Sequence, residues 1–171
     1  MKRTGIALLL AALLAGPAHA ASLTPLQLGL WGPQVQLFSE QTPVVGLRLN
    51  VLKSANESVT GFDLGIASQA GSMKAIQVNL VNLVDNEFDG VGIGLFNQCG
   101  SVAGIQAGLF NNVTHDLSGF QIGLFNSADD VAGIQVGLLN HTVSMRGLQI
   151  GVVNLIDDGP VGFFPILNGA F

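Results

Sequence analysis

Apolar and polar residues alternate in a short block that returns down almost the whole chain. Gly104-Ile105-Gln106-Ala107-Gly108-Leu109-Phe110-Asn111 recurs as Gly119 to Asn126, Gly133 to Asn140 and Gly147 to Asn154. Weaker repeats begin at Gly46, Gly61, Ala75, Gly90 and Val161, and Pro25 to Gly32 is a worn first one. With the leading residue as position 0 and the Asn as position 7, positions 1, 3 and 5 are almost always aliphatic or Phe. Gln and Gly recur at 2 and 4, and a further apolar residue stands two before position 0, as in Val44, Val102, Leu117 and Val131. Alternation with period two predicts strands, and Gly at this density would make a helix costly. Ten repeats thus predict about ten strands.

The spacing suggests how the strands are joined. From Gly46 onward the steps are 15, 14, 15, 14, 15, 14, 14 and 14 residues, and the turns alternate in composition, Gln69-Ala70-Gly71-Ser72 against Val84-Asp85-Asn86-Glu87. The true repeat is then about 29 residues, at least over the first half, and two alternating turn types fit an all-β, antiparallel up-and-down meander of about ten strands, closed as a β-barrel. Centred on position 3, such a register sets Gly at 0 opposite the bulky residue at 6 and Gln at 2 opposite Gly at 4, so each Gly makes room for a large cross-strand neighbour. The competing architecture is a parallel β-solenoid, in which like positions stack into ladders of Asn, Gln and Phe.

Composition asks where the apolar surface goes. Charged residues make up 10% and apolar residues 49%, with mean hydropathy +0.53, against about 25% charged in ordinary soluble domains. Lys2 and Arg3, the apolar run Ile6 to Ala15 and Ala18-His19-Ala20 predict a secretory signal peptide over 1–20, leaving 21–171 as a single β-repeat domain. The apolar run is too short to cross about 30 Å of hydrocarbon as a helix. Removing Lys2 and Arg3 leaves four cations against eleven acids, a net charge of −7. That balance speaks against a nucleic-acid partner, and the single Cys excludes a disulfide framework or a cysteine-rich metal site.

Two placements of the aliphatic face follow. In lipid, it makes the chain an outer-membrane barrel with Gly, Gln and Phe in the lumen; its partners are then outer-membrane lipid and the outer-membrane assembly machinery, with the terminal Phe171 as assembly signal. Three aliphatic rows make a thin belt, however, and with no Tyr and only Trp31 the aromatic girdles are poor. Turned inward, the same face leaves Gln, Gly and Phe to meet water or a protein or glycan partner, in the periplasm or outside the cell.

Candidate chemistry is sparse. Gln77, Gln106, Gln121, Gln135 and Gln149 form the one polar row within the strands, either lining a lumen, making a surface strip, or pairing with one another. Cys99 has no identifiable His or acid partner and stands where other repeats have Ala70, Val113, Ala128 and Thr142, so it reads as a small packing residue. His115 and His141 fall in turns at different repeat positions, and Asp129-Asp130 and Asp157-Asp158 match no calcium-loop spacing. The glycines never form a dinucleotide loop. No catalytic residue, metal or cofactor is expected, and the chain is read as a non-enzyme.

The unit G-[IFL]-Q-[VIA]-G-[LV]-[FLV]-N, the opening Leu26 to Phe38 and the ending Phe164 to Phe171 together resemble a family of bacterial surface-repeat proteins found in leptospires, vibrios and Bacteroidetes, exported proteins of undefined biochemical role. The resemblance spans nearly all of 21–171 and implies a cell-envelope location. Some relatives carry a polyester-synthase label, but Gln98-Cys99-Gly100 lacks the Gly two residues before the nucleophile that a nucleophile elbow needs. The leading expectation is a non-enzymatic envelope protein, an outer-membrane barrel or a surface-exposed interaction protein. The second is a secreted or periplasmic β-solenoid acting as a binding module.

Overall fold

A computed structural model describes residues 23–171, so the predicted signal peptide lies outside the described residues. The strands are β1 (Thr24–Gly29), β2 (Val44–Ile93), β3 (Phe96–Ala107), β4 (Phe110–Val113), β5 (Asp116–Ile122), β6 (Phe125–Ile156) and β7 (Phe163–Ala170). Pairing is parallel from β1 to β6, with Gly90 beside Gly104, Gly104 beside Gly119 and Gly119 beside Gly133. From Gly61 to Gly147 each repeat lies on the one 14 or 15 residues before it, the Gly46 coil lies on β1 with Gln27 beside Arg48, and the chain winds as a parallel β-solenoid.

This overturns the antiparallel meander and its closure as a β-barrel, and with them the outer-membrane barrel built on that closure. The alternating turns are corners of successive coils, not hairpins at opposite ends of a sheet. The extra residue of a 15-residue step is absorbed in such a corner: pairing passes from Val84–Cys99 to Glu87–Ser101, a shift from 15 to 14. The role inferred for Gly at position 0 changes too. Gly119 has φ 137°, and a Cβ there would lie 2.0 Å from the carbonyl oxygen of Gly104 in the coil before it. Close stacking of one backbone on the next, in a conformation that L side chains rarely adopt, is what requires glycine here.

Each coil has a long and a short side. In the coil through β4 and β5, bends at Gly108-Leu109 and Thr114-His115 flank the four residues of β4, and the seven of β5 run to the next bend at Gly123-Leu124. Inside, two apolar columns pack together: Ala70, Val84, Cys99, Val113 and Ala128 at position 9, and Val44, Val59, Met73, Phe88, Val102, Leu117 and Val131 two before position 0. The rest of the interior is polar.

Both ends are closed by chain that turns back. At the first coil the Leu37 amide donates to the Leu28 carbonyl, and the Gln27 side chain holds Phe38 by its N–H and its carbonyl, at 2.9 and 2.8 Å. At the last coil β7 runs antiparallel to β6, with Gly147 opposite Ala170 and Ile150 opposite Leu167. The repeat at Val161 is therefore a cap and not a tenth strand of a meander. Capping removes the open strand edges that make a solenoid stack end to end.

Candidate functional site

Positions 2 and 7 point inward, and their amides build two ladders along the axis. Gln121, Gln135 and Gln149 each donate to the Gln one coil earlier, at 3.2, 2.8 and 2.8 Å, and to a carbonyl in their own coil. The Asn ladder runs the other way: Asn82, Asn97, Asn111, Asn126 and Asn140 each donate to the next Asn, at 2.7 or 2.8 Å, and to a carbonyl of the next coil. Gly at position 4 makes room for this ladder, since a Cβ at Gly123 would sit 2.6 Å from the Asn111 Nδ2. The predicted Gln row, Gln77, Gln106, Gln121, Gln135 and Gln149, is thus fully buried, with its amides largely bonded to one another and to backbone.

Three repeats depart from the pattern, and each is compensated in space. Arg48 and Asp63 replace Gln at position 2 in adjacent coils and form a buried ion pair at 2.8 Å. Arg48 also donates to Gln69 O and Ser68 Oγ, and Asp63 accepts from Asn50, Gln77 and Asn79. Burial pushes the Asp63 carboxyl up, but the Arg48 guanidinium, with Ser68 and Asn50, outweighs it and holds the group below its ordinary 3.8. The third departure is Gly92. The Phe88 ring fills the space a Gln there would occupy, 3.4 Å from where a Cβ would stand, and Gln106, lacking a Gln neighbour, donates to the Cys99 Sγ at 3.0 Å.

The ion pair and both amide ladders are buried away from solvent. Cys99 is buried, and burial pushes its thiol up to about 12, with only the Gln106 contact opposing; the thiolate a nucleophile needs is absent near neutral pH. His115 contacts Thr114, whereas His141 meets Asp157 at 3.2 Å on the surface, so the structure does not bring the two histidines together. Among the described residues no group of three His, Cys, Asp or Glu is placed to hold a metal. A cleft of about 660 Å³ opens beside the N-terminal cap, with Trp31, Gln34, Lys53, Glu57 and Asp85 on its walls. Phe171 is fully exposed beyond β7.

The outer surface carries the feature that sequence reasoning left undecided. From the coil at Gly46 to the coil at Gly147, positions 1, 3, 5 and 6 hold an apolar residue in every one of the eight coils. These side chains point outward: Leu49, Phe62, Ile66, Leu80, Leu95, Phe110, Phe120, Leu124 and Leu138 are all exposed. The bend at positions 4 and 5 lies between them, so the surface is a convex edge with positions 1 and 3 on one flank and position 6 on the other. Phe110 and Phe125 stack along it, centroids 5.0 Å apart at 4°. At the opposite corner Glu57, Asp85, Glu87, Asp116, Asp129, Asp130, Asp157 and Asp158 are exposed to water. Apolar residues outside and amides inside reverse the usual distribution, and the period-two pattern alone does not say which side is out. Comparison with protein-family models, curated proteins and solved structures finds no match for the chain.

Proposed function

We propose that the chain is an exported β-solenoid working as a non-catalytic interaction module, outside the cytoplasm, at the cell surface or in the periplasm. The observation that carries this reading is the apolar edge: it runs through eight successive coils with an apolar residue at every outward position, reaching the upper end of the few hundred Å² that monomers ordinarily leave bare, and such surfaces mark binding sites. The polar groups that could do chemistry are meanwhile engaged inside the coil. Export is supported by the predicted signal peptide and by the resemblance to bacterial surface-repeat proteins.

Fractionating cells that express the full chain, with N-terminal sequencing of the product, tests the export. A chain starting at Ala21 outside the cytoplasm is expected, and an unprocessed chain in the cytoplasm overturns the reading. Photo-crosslinking in the same cells tests the interaction. A reactive residue replacing Leu109 on the edge is expected to give adducts and one replacing Thr114 on the acidic corner none; equal labelling at both sites counts against an interaction edge.

A further inference from the structure

We infer that the apolar edge docks on a lipid surface, the solenoid lying along the bilayer with positions 1, 3, 5 and 6 immersed among the acyl chains and no strand crossing. This deepens the proposed function by naming the occupant of its surface. Shape argues for it first. Eight coils about 4.8 Å apart give a ridge close to 40 Å long, and the bend leaves each flank roughly 8 Å wide. Two such ridges meeting flank to flank cover about 600 Å² in total, well short of the roughly 1,200 Å² that stable protein pairs bury. Two convex edges cannot fit closely against each other, whereas fluid acyl chains conform to both flanks at once.

Charge argues the same way. All thirty-two edge positions in these coils are uncharged and apolar, so nothing on the ridge resists leaving water. The acids gather at the far corner of the coil, where they remain hydrated when the ridge is immersed. Apart from Val45, the positions bordering the ridge on the long side are short or polar, among them Thr60, Lys74, Asp89, Ser118 and Arg146, as suits a boundary with headgroups. With eleven acids against four cations after residue 20, attraction to anionic headgroups contributes little, so the binding is apolar and indifferent to salt. A protein partner of matching concave shape would need the same uncharged lining and is an outcome of the test.

The chain's one Trp reports directly. Trp31 is exposed, and the Gly32 amide donates to the Lys53 carbonyl, which sets Trp31 beside Leu52 at position 6 of the ridge. The exported chain is mixed with phosphatidylcholine vesicles and floated on a density gradient at low and high salt. Co-flotation at both, with a blue shift of Trp31 emission, is expected. The triple variant Leu95→Asp, Leu109→Asp, Leu124→Asp is expected to lose tenfold or more of the floating fraction, and Thr114→Asp to lose none. Circular dichroism checks that both keep the β signal; should the triple variant misfold, the single change Leu109→Asp, expected to lose about threefold, is compared instead. Flotation of wild type and edge variants alike overturns the inference. So does a chain that stays at the bottom with Trp31 still in water, whether monomeric or a dimer by light scattering. In that case adducts from the Leu109 site in cells show that the interaction reading stands without lipid, and their absence removes both.

Discussion

Single residues matter most where the repeat is broken. Arg48 and Asp63 stand in the Gln column, and neither can be removed alone without leaving a buried charge, which typically costs about 3–5 kcal/mol. Because the Asp63 carboxyl titrates below its ordinary 3.8 when folded, the pair adds stability above that value and loses it as the pH falls through the folded one. Urea midpoints at pH 7 and at pH 3 should therefore differ more in wild type than in Asp63→Asn, which should be weaker at pH 7 yet less sensitive to acid; an equal acid loss in both would refute the assignment. Gly119 makes a sharper test of the backbone stacking. Gly119→Ala puts a methyl 2.0 Å from the Gly104 carbonyl oxygen in a backbone unsuited to it, and a loss of about 2–4 kcal/mol in chemical denaturation is expected.

At the scale of elements, the ladders make each coil depend on its neighbours. Asn111 accepts from Asn97 and donates to Asn126, so Asn111→Ala leaves the Asn126 oxygen and one Asn97 hydrogen without partners inside a polar column. About 2–3 kcal/mol is the expected loss. Adding Asn97→Ala should cost less than its own single effect, since the two share one bond; strict additivity by denaturation would mean the amides do not act as a ladder. Strand type and the 14- or 15-residue step are legible in the sequence because they depend only on side-chain alternation, whereas the 29-residue double repeat suggested by the turns gives way to single stacked coils. The direction of pairing is not legible. Alternating corner lengths mimic alternating hairpins, and the two are told apart by the parallel pairing of like positions, Gly90 with Gly104 and Gly104 with Gly119. The outward aliphatic rows were equally hidden, because Leu95 or Ile122 on lipid, in a core or in water gives the same alternation. The compensation of Gly92 by Phe88 needed the structure: they are four residues apart on the same inward face of β2, and the ring has to lie along that face to reach the Gly92 space.

For the whole molecule, the caps decide how the solenoid can grow. An uncapped parallel coil offers its free edge to another chain, and the two ends here are closed by different segments: Leu37 and Phe38 fold back over β1, and β7 covers β6. Deleting residues 163–171 opens one end only. The uncovered edge is the stretch from Gly147 to Leu155, which β7 meets antiparallel, so it can accept the same stretch of a second chain in the same sense about a two-fold axis. The interface is then self-complementary and closes at two, because the N-terminal end of each chain stays capped. Static light scattering should give twice the mass of the intact chain in the same buffer, without thioflavin binding. Open filaments would instead mean that the segment at Leu37 and Phe38 does not seal the first coil, and an unchanged mass would mean that β7 contributes packing but guards no edge.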